Sequence, residues 1–319
     1  MGEHLEDDDI GLQQNPGAIF NDINNEAQTQ HYYSTVNAKY VCKMRGWTFD
    51  PQACSILVVM ELCELGSLRR VIAWDAGHRR VKGPRRIAMM VQGAKALRVL
   101  HFGIWKTSDS FERNDTCIHG DIKADNFLVT ADYRVKLSDF GSALRKRQSR
   151  VKKDVESGLT TVQLKNKGTY EYTAPEVHRS KDQYSEASDV YAFGIVLWEI
   201  WTGGEPWVIN STRSSEAYVI GQVVGCSDIL LNLDEHHVNF NGGASAKMPS
   251  YLRTVVQSCV NPDPVARPSS HDLVRLLLEV QRRFWAEWVR EQEGRAAKPQ
   301  SAADALNMAM LGEPGAEHW

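Results

Sequence analysis

The chain has 319 residues, of which 42% are hydrophobic and 24% are charged, a composition typical of a globular protein and not of a disordered or fibrous one. Its 37 lysines and arginines are outnumbered by 40 aspartates and glutamates, and the net charge of −3 gives no general attraction for nucleic acid. The longest apolar run, Val190 to Trp198, is shorter than the roughly 20 residues that a membrane-spanning helix needs. We therefore expect a cytoplasmic protein that has neither a membrane nor a nucleic acid as its partner.

The N-terminal part of the chain contains few regular patterns. Residues 1–20 are acidic and rich in turn-forming residues, which indicates a mobile lead-in and neither a signal nor a transit peptide. The polar stretch that follows, to about residue 37, predicts a helix with a weak apolar stripe. The β-branched run from Ser55 to Leu62 predicts a buried strand that stops before Gly66.

The middle of the chain alternates between helical and strand patterns. Apolar residues at helical spacing predict a core-facing helix over residues 85–101. A polar and irregular insertion follows, between His101 and Cys117. Alternating apolar residues on both sides of a two-residue turn then predict a β-hairpin over residues 127–137.

Two further helices are predicted in the C-terminal half. The stretch from Asp189 to Trp201 is apolar on all sides, as is typical of a helix that runs through the middle of a domain. An amphipathic helix begins at about His271. Residues 293–319 are mostly small and polar, which predicts a flexible tail.

Two polar loops flank the predicted hairpin and carry chemically useful side chains. The loops read HGDIKADN over residues 119–126 and DFG over residues 139–141. Because a hairpin returns the chain to the edge where it started, the side chains of Asp121, Asn126 and Asp139 are expected to converge on one cleft. A carboxylate can orient a hydroxyl group and accept its proton, and a lysine such as Lys123 can offset phosphate charge. Carboxylate and amide oxygens are also suitable ligands for Mg²⁺.

These loops and three later segments resemble the eukaryotic protein-kinase catalytic domain. The resemblance covers about residues 40–280, and its five motifs stand in the order in which the family has them, which is far more specific than a single DFG. The motifs are the catalytic loop HGDIKADN, the metal loop DFG, the end of the activation segment from Gly168-Thr169 to Ala174-Pro175-Glu176, the central-helix Asp189 that anchors the catalytic loop, and the segment from Asn261 to Arg267 whose arginine pairs with Glu176.

The resemblance implies an α+β, protein-kinase-like two-lobed fold with a mainly helical large lobe and a truncated β small lobe. It also implies ATP and Mg²⁺ as cofactors, and a serine or threonine of a protein substrate as the phosphate acceptor. The implied roles are Asp121 as the catalytic base, Lys123 as the neutraliser of γ-phosphate charge, Asn126 and Asp139 as the Mg²⁺ ligands, Met60 as the gatekeeper, Glu61 and Cys63 as hinge contacts to adenine, and Leu128 as the floor of the adenine pocket.

Details within the motifs resemble the serine/threonine kinases, and in particular their tyrosine-kinase-like branch. Lys123 stands two residues after Asp121, and Thr169 follows Gly168, as in serine/threonine kinases. The run FLVTADYRVKL and the opening of the catalytic loop are also similar to the mixed-lineage kinase domain-like pseudokinases. Unlike those proteins, this chain keeps Asp121, Asn126 and the whole DFG motif.

The small-lobe motifs of the family are absent ahead of the hinge. No G-x-G-x-x-G precedes Met60, and the first lysine of the chain is Lys39, so the glycine-rich loop and the strand lysine that hold the ATP phosphates are not found. Glu26 is the candidate for the helix glutamate that pairs with this lysine in the family. Four residues later stands Gln30, where the family places an apolar residue, so either the helix is misassigned or the small lobe is degenerate.

Two functions of different class therefore remain. In the first, residues 21–292 are a serine/threonine kinase domain whose upstream segment, with the glycine-rich loop and the lysine, is missing from this sequence. In the second, the chain is a pseudokinase, a folded interaction module or signalling scaffold without phosphoryl transfer. The retained catalytic and metal-binding residues favour an ancestor that used Mg-ATP, whereas the missing lysine favours inactivity of this polypeptide.

Overall fold

The structure is a computed structural model that describes most of the chain between residues 26 and 296. The predicted lead-in over residues 1–20 and the part of the predicted tail after residue 296 lie outside the described residues. The described segments are 26–35, 37–50, 55–78, 81, 83–102, 105–107, 110–111, 116–145, 152–153, 160–163, 168–180, 183–209, 212–225 and 248–296.

The elements form the expected α+β arrangement, with small antiparallel sheets beside a mainly helical lobe. The described helices are α1 (26–35), α2 (Leu68–His78), α3 (Gly83–Phe102), α4 (Pro175–Arg179), α5 (Glu186–Thr202), α6 (Glu216–Gly225), α7 (Ser250–Cys259) and α8 (Ser270–Ala296). The described strands are β1 (Met44–Asp50), β2 (Ser55–Met60), β3 (Gly66–Ser67), β4 (Trp105–Thr107), β5 (Ser110–Phe111), β6 (Cys117–Ile118), β7 (Phe127–Val129), β8 (Val135–Leu137), β9 (Leu144–Arg145), β10 (Lys152–Lys153), β11 (Thr160–Gln163), β12 (Gln183–Tyr184), β13 (Val208–Ile209) and β14 (Thr212–Arg213).

The small lobe consists, in the described residues, of α1 and the antiparallel pair β1 and β2. The predicted strand is present as β2, which ends at Met60. The prediction that this strand is buried is wrong, because Leu57 and Val59 are 51% and 53% exposed. The physical reason is that β2 pairs only with β1 among the described residues, so this two-stranded sheet leaves apolar side chains of β2 exposed to solvent.

The predicted hairpin is confirmed as β7 and β8, and it forms a three-stranded sheet with β3. Phe127 and Val129 pair with Leu137 and Val135, and all four side chains are buried. The hairpin therefore fixes the distance between the loop that precedes β7 and the loop that follows β8.

The predicted central helix is confirmed as α5, which extends beyond the predicted range at both ends. Ser185 and Ser188 form a reciprocal capping box at its start, which satisfies two of the free backbone N–H groups of the first turn. Phe193 in its middle packs against Phe127 of β7, with ring centroids 5.7 Å apart. The apolar surface of α5 is thus buried on all sides, and the helix connects the hairpin to the rest of the large lobe.

Other elements extend or complete the predictions. The helix predicted over residues 85–101 is confirmed as α3, and α8 begins where the amphipathic pattern predicts. Because α8 continues to Ala296, the prediction of a flexible tail from residue 293 is wrong for residues 293–296. The region predicted as irregular, between His101 and Cys117, contains the hairpin β4–β5. The strand β1 and the helices α2, α6 and α7 were not predicted, because their patterns extend over only two or three turns or a few residues.

Among the helices of the described segments, none combines the length and the apolar character that crossing a membrane requires.

Candidate active site

The carboxylate of Asp121 lies at the centre of a hydrogen-bond network that joins two loops. Its Oδ1 accepts hydrogen bonds from the backbone N–H of Thr169 at 3.0 Å and from the Thr169 hydroxyl at 2.8 Å. Its Oδ2 accepts from Lys123 Nζ at 2.7 Å, and Lys123 also donates to the Thr169 hydroxyl at 2.9 Å. The structure therefore brings Asp121 and Lys123 together, and adds Thr169 from a segment 48 residues away.

These contacts determine the charge of Asp121. Burial by itself raises the pKa of this carboxyl group, but the hydrogen bonds from Lys123 and Thr169 and the charge of Lys123 outweigh burial and hold the pKa below its usual range. Asp121 is therefore ionised at neutral pH. An ionised carboxylate in this position can accept a hydrogen bond from the hydroxyl group of a substrate.

The buried carboxylate of Asp189, in the first turn of α5, holds the backbone of the catalytic loop. It accepts hydrogen bonds from the N–H groups of His119 and Gly120 at 2.8 and 2.9 Å. One of its oxygens also lies 3.0 Å from Nε2 of the buried His101. Gly120 has a φ of 75°, a backbone conformation that favours glycine. The anchoring contact that the family resemblance implies is thus present.

Asn126 and Asp139 come from the loops at the two ends of the β7–β8 hairpin, and backbone contacts keep these loops together. The N–H and the hydroxyl of Ser138 both donate to the backbone oxygen of Asn126 at 2.8 Å. The side-chain nitrogen of Asn126 donates to the backbone and carboxylate oxygens of Asp121, at 2.8 and 3.2 Å. The side-chain oxygen of Asn126 therefore remains available for another ligand.

The two predicted metal ligands fit Mg²⁺ by the chemistry of their atoms. Asp139 is exposed, and its Oδ1 accepts a long hydrogen bond of 3.3 Å from the backbone nitrogen of Gly141. An amide oxygen and a carboxylate are ligands that Mg²⁺ accepts, and this ion usually completes its shell with phosphate oxygens and water. Within the described residues there is no cluster of three or more His, Cys, Asp or Glu side chains that could hold a metal without a nucleotide.

The predicted gatekeeper and the first hinge residue lie at the end of β2. Met60 is partly buried there, and the N–H of Glu61 donates to the backbone oxygen of Lys43 at 2.8 Å. The carboxylate of Glu61 accepts a hydrogen bond from Lys136 of β8 at 2.7 Å. Burial raises the pKa of Glu61, but the bonds from Lys136 and from the backbone of Lys43 outweigh it and lower the pKa. Glu61 is thus an ionised link between the hinge and β8.

The other two predicted adenine contacts are Cys63 and Leu128. The backbone oxygen of Cys63 accepts from Gly66 at 3.0 Å, whereas its N–H makes no hydrogen bond to another described residue. This N–H is therefore available to a ring nitrogen of adenine. Leu128 lies on β7 and pairs with Ser67 of β3, the strand that follows the hinge along the chain. Burial raises the pKa of the Cys63 thiol, which keeps it protonated and unreactive.

The helix α1 brings Glu26 to the metal loop. A Cβ atom built on Gly141 would lie 3.3 Å from a carboxylate oxygen of Glu26 and 3.3 Å from one of Asp139, so the two carboxylates flank this glycine. Burial, and after it the charge of Asp139, raises the pKa of Glu26. No lysine or arginine pairs with Glu26 within the described residues. The candidate helix glutamate thus lies beside the metal loop, without a basic partner among the residues that the structure describes.

The departure at Gln30 has a structural explanation. Gln30 is buried, and its amide donates to a backbone oxygen of the neighbouring loop at 2.6 Å, so its polar group is satisfied. Tyr33, one turn later, stacks on Phe140 of the DFG motif with ring centroids 5.9 Å apart. Phe140 in turn contacts the ring of His119 at 5.3 Å. Sequence analysis missed Tyr33, although it stands two helical turns after the candidate glutamate and hence on the same face.

The predicted ion pair between Glu176 and Arg267 is confirmed. The two terminal nitrogens of Arg267 each donate to one oxygen of Glu176 at 2.7 Å. Arg267 also donates to the backbone oxygens of Asn261 and Ala187, at 2.7 and 2.9 Å, and lies 4.9 Å above the ring of Tyr191. Its side chain is 0% exposed, against 21% for that of Glu176. The arginine is thus fully buried, whereas the glutamate retains some contact with solvent.

A second buried charged cluster was missed by sequence analysis. Arg69 of α2 forms an ion pair with Glu199 of α5 and donates to the hydroxyl of Tyr172. The same hydroxyl lies 3.1 and 3.2 Å from the two oxygens of Glu199. The cluster ties two helices to the 3₁₀ turn Tyr170–Tyr172 that follows Thr169. Its members come from three distant segments and belong to no local pattern, so the sequence carried no signal for it.

Comparisons with known proteins agree with this geometry. A family model described as Protein kinase domain matches residues 12–277. The chain is 31% identical over 255 residues to the probable serine/threonine-protein kinase drkC of Dictyostelium discoideum, a match over 80% of this chain and 29% of that protein. It is 32% identical over 221 residues to the mixed lineage kinase domain-like protein of Homo sapiens, over 69% of this chain and 40% of that protein. It is 27% identical over 226 residues to the serine/threonine-protein kinase CTR1 of Arabidopsis thaliana, over 71% and 23%.

The chain spans less than half the length of these curated relatives. The family match nevertheless includes the hinge, the catalytic loop, the metal loop and the activation-segment end. In the structure, Thr169 joins the activation-segment end to Asp121, and Ser138 joins the start of the metal loop to Asn126. A match of this extent shows that the chain belongs to the protein kinase family.

Proposed function

We propose that this protein is a serine/threonine protein kinase, which transfers the γ-phosphoryl group of Mg-ATP to hydroxyl groups of protein substrates in cytoplasmic signalling. The observation that carries the proposal is the position of Thr169, which donates two hydrogen bonds to Asp121 and accepts one from Lys123. A lysine two residues after the base and a threonine after Gly168 are the features that resemble serine/threonine kinases. The names of the relatives drkC and CTR1 both include the words serine/threonine-protein kinase.

The roles of the residues follow from their contacts. Asp121 is ionised and orients the acceptor hydroxyl, and it takes the proton of that hydroxyl as the bond to phosphorus forms. Lys123 offsets negative charge on the transferred group, because its ammonium group is held at the same carboxylate. Asn126 and Asp139 would hold Mg²⁺, which supplies charge stabilisation on the phosphates when it is bound.

The alternative function is that of a pseudokinase scaffold, and one observation favours it. Glu26 lies beside Asp139 and has no basic partner in the described segments. Residues 1–38 contain neither lysine nor arginine, so the first part of this sequence cannot provide one. The proposed kinase function therefore requires a lysine that pairs with Glu26, and the described residues show none beside it.

Phosphate transfer from ATP to serine, threonine and tyrosine peptides tests the proposal. The assay compares the 319-residue chain with the same chain extended by its upstream coding sequence. We expect the extended protein to phosphorylate serine and threonine peptides, and Asp121→Asn to lower kcat by roughly 10²- to 10⁴-fold, because the base is lost. Asp272→Asn, an exposed carboxylate of α8, is the matched control and should leave kcat unchanged.

Three results would contradict the proposal. They are transfer to tyrosine alone, equal rates for the parent and Asp121→Asn, and absence of transfer by both forms of the chain although they bind ATP. The last result would instead support the scaffold function.

The substitution Glu26→Gln should have opposite effects in the two proteins. In the 319-residue chain it removes a carboxylate beside Asp139 that no lysine or arginine of the described residues offsets, so affinity for Mg-ATP should rise by roughly fivefold, or about 1 kcal/mol. In the extended protein it breaks the pair with the lysine, so kcat should fall. Titration with a fluorescent ATP analogue and the peptide assay measure the two effects, with Glu279→Gln on the surface of α8 as the control. If Glu26→Gln leaves the kcat of the extended protein unchanged or raises it, Glu26 is not the partner of the lysine.

A further inference from the structure

The backbone around the proposed catalytic base is held by side chains from one short stretch, residues 184–189. Asp189 accepts the two amides of the catalytic loop, at 2.8 and 2.9 Å. The hydroxyl of Tyr184 accepts a third hydrogen bond, from the N–H of Gly168 at 3.1 Å. The catalytic loop and the end of the activation segment are thus attached to the same six residues, although they lie about 50 residues apart along the chain.

The phenol of Tyr184 is itself fixed in position. Its side chain is 5% exposed, and its backbone pairs with Val162 of β11. The next residue, Ser185, is the N-cap of α5, where its N–H donates to the Ser188 hydroxyl at 2.9 Å and its hydroxyl accepts from the Ser188 N–H at 3.3 Å. Because the backbone on both sides of this phenol is fixed, its hydroxyl can hold the N–H of Gly168 at a defined distance from α5.

The backbone at Gly168 lies directly on the catalytic loop. A Cβ atom at this position would lie 2.5 Å from the backbone oxygen of Gly120, so no side chain fits between the two loops. A cavity of about 10 Å³ lies beside them and is lined by Gly120, Thr169 and Tyr184, among others. This volume is at the lower limit for a single water molecule. Neither glycine has a side chain, so the Tyr184 hydroxyl is the side-chain group that holds Gly168 among the described residues.

We propose that Tyr184 is a positioning residue for Asp121, because its hydroxyl fixes Gly168 and thereby aims both hydrogen-bond donors of Thr169 at the carboxylate. Without this contact, the backbone at Gly168, directly before Thr169, loses its side-chain support, and the two bonds from Thr169 to Asp121 Oδ1 weaken together. The consequence for turnover rests on the proposed function, since Asp121 acts as a base only in a kinase. The consequence for the backbone does not depend on catalysis.

Amide hydrogen exchange tests the backbone part in the protein without nucleotide. Tyr184→Phe removes one hydroxyl and keeps the ring, so the N–H groups of Gly168 and Thr169 should exchange roughly three- to tenfold faster, as expected for the loss of one hydrogen bond. Tyr191→Phe, which deletes another buried phenol hydroxyl on α5, is the matched control and should leave these two amides unchanged. Unchanged exchange in Tyr184→Phe, or equal acceleration in both variants, would overturn the proposal.

Steady-state kinetics of the extended protein test the consequence for Asp121. In Tyr184→Phe, kcat should fall roughly three- to tenfold while KM for ATP stays the same, because the hinge is not affected. A rise in KM for ATP with kcat unchanged would overturn the proposal. If neither the parent nor the variant transfers phosphate, the proposed function fails, and the exchange measurement still decides whether Tyr184 positions the segment.

Discussion

Replacing Arg267 by alanine is expected to lower the free energy of unfolding by about 3 to 5 kcal/mol, the range for breaking a buried ion pair. Arg267→Ala removes both bonds to Glu176 and the bonds to three backbone oxygens, and it leaves a cavity against the Tyr191 ring. For a domain of this size, the melting temperature should fall by roughly 6 to 10 °C. Thermal unfolding followed by circular dichroism measures this shift.

Two control variants separate the buried pair from a general effect of charge. Arg267→Lys keeps the charge but cannot make two parallel bonds to a carboxylate, so it should recover only part of the loss. Arg282→Ala breaks an exposed pair with Glu279, whose side chains are 62% and 58% exposed, and should change stability by less than about 1 kcal/mol. If Arg267→Ala melts no lower than Arg282→Ala, the buried pair does not stabilise the large lobe.

Asp139→Asn is expected to remove the Mg²⁺-dependent stabilisation of the protein by ATP. The Asp139 carboxylate and the side-chain oxygen of Asn126 are the proposed protein ligands of Mg²⁺, and an amide at position 139 does not neutralise the ion. At an ATP concentration of about 100 times its Kd, binding adds roughly 2.7 kcal/mol to stability. We expect the extended protein to show this stabilisation only with Mg²⁺, and Asp139→Asn to lose it.

The measurement is the melting temperature with ATP, with and without Mg²⁺. Asp132→Asn is the matched control, because Asp132 is an exposed carboxylate at the turn of the same hairpin, and its replacement should leave the response to Mg²⁺ intact. A Mg²⁺-dependent stabilisation that survives Asp139→Asn unchanged would show that the metal role of Asp139 is wrong. A parent protein that ATP does not stabilise at all would favour the scaffold function.

Long patterns were predicted well from the sequence, whereas short elements were not. The helices α3 and α5 and the hairpin β7–β8 were predicted because each repeats one periodicity over many residues or around a clear turn. The strand β2 was placed correctly but its burial was not, since burial depends on which neighbours cover a strand. The sequence drew attention to Gln30, whose amide bonds to a backbone oxygen in the structure, but the packing of Tyr33 on Phe140 was not predicted.

The sequence by itself determined the family of this protein and the identity of its candidate catalytic and metal-binding residues, because those side chains occur in short motifs whose order along the chain is specific. Only the tertiary structure decided which distant groups meet at the site: Thr169 on Asp121, Tyr184 on Gly168, and Glu26 beside Asp139, with no basic partner of Glu26 in the part of the chain that the structure describes. These contacts join segments that are far apart along the chain. They depend on how α1, α5 and the activation segment pack, and packing is a property of the whole fold that no local residue pattern encodes.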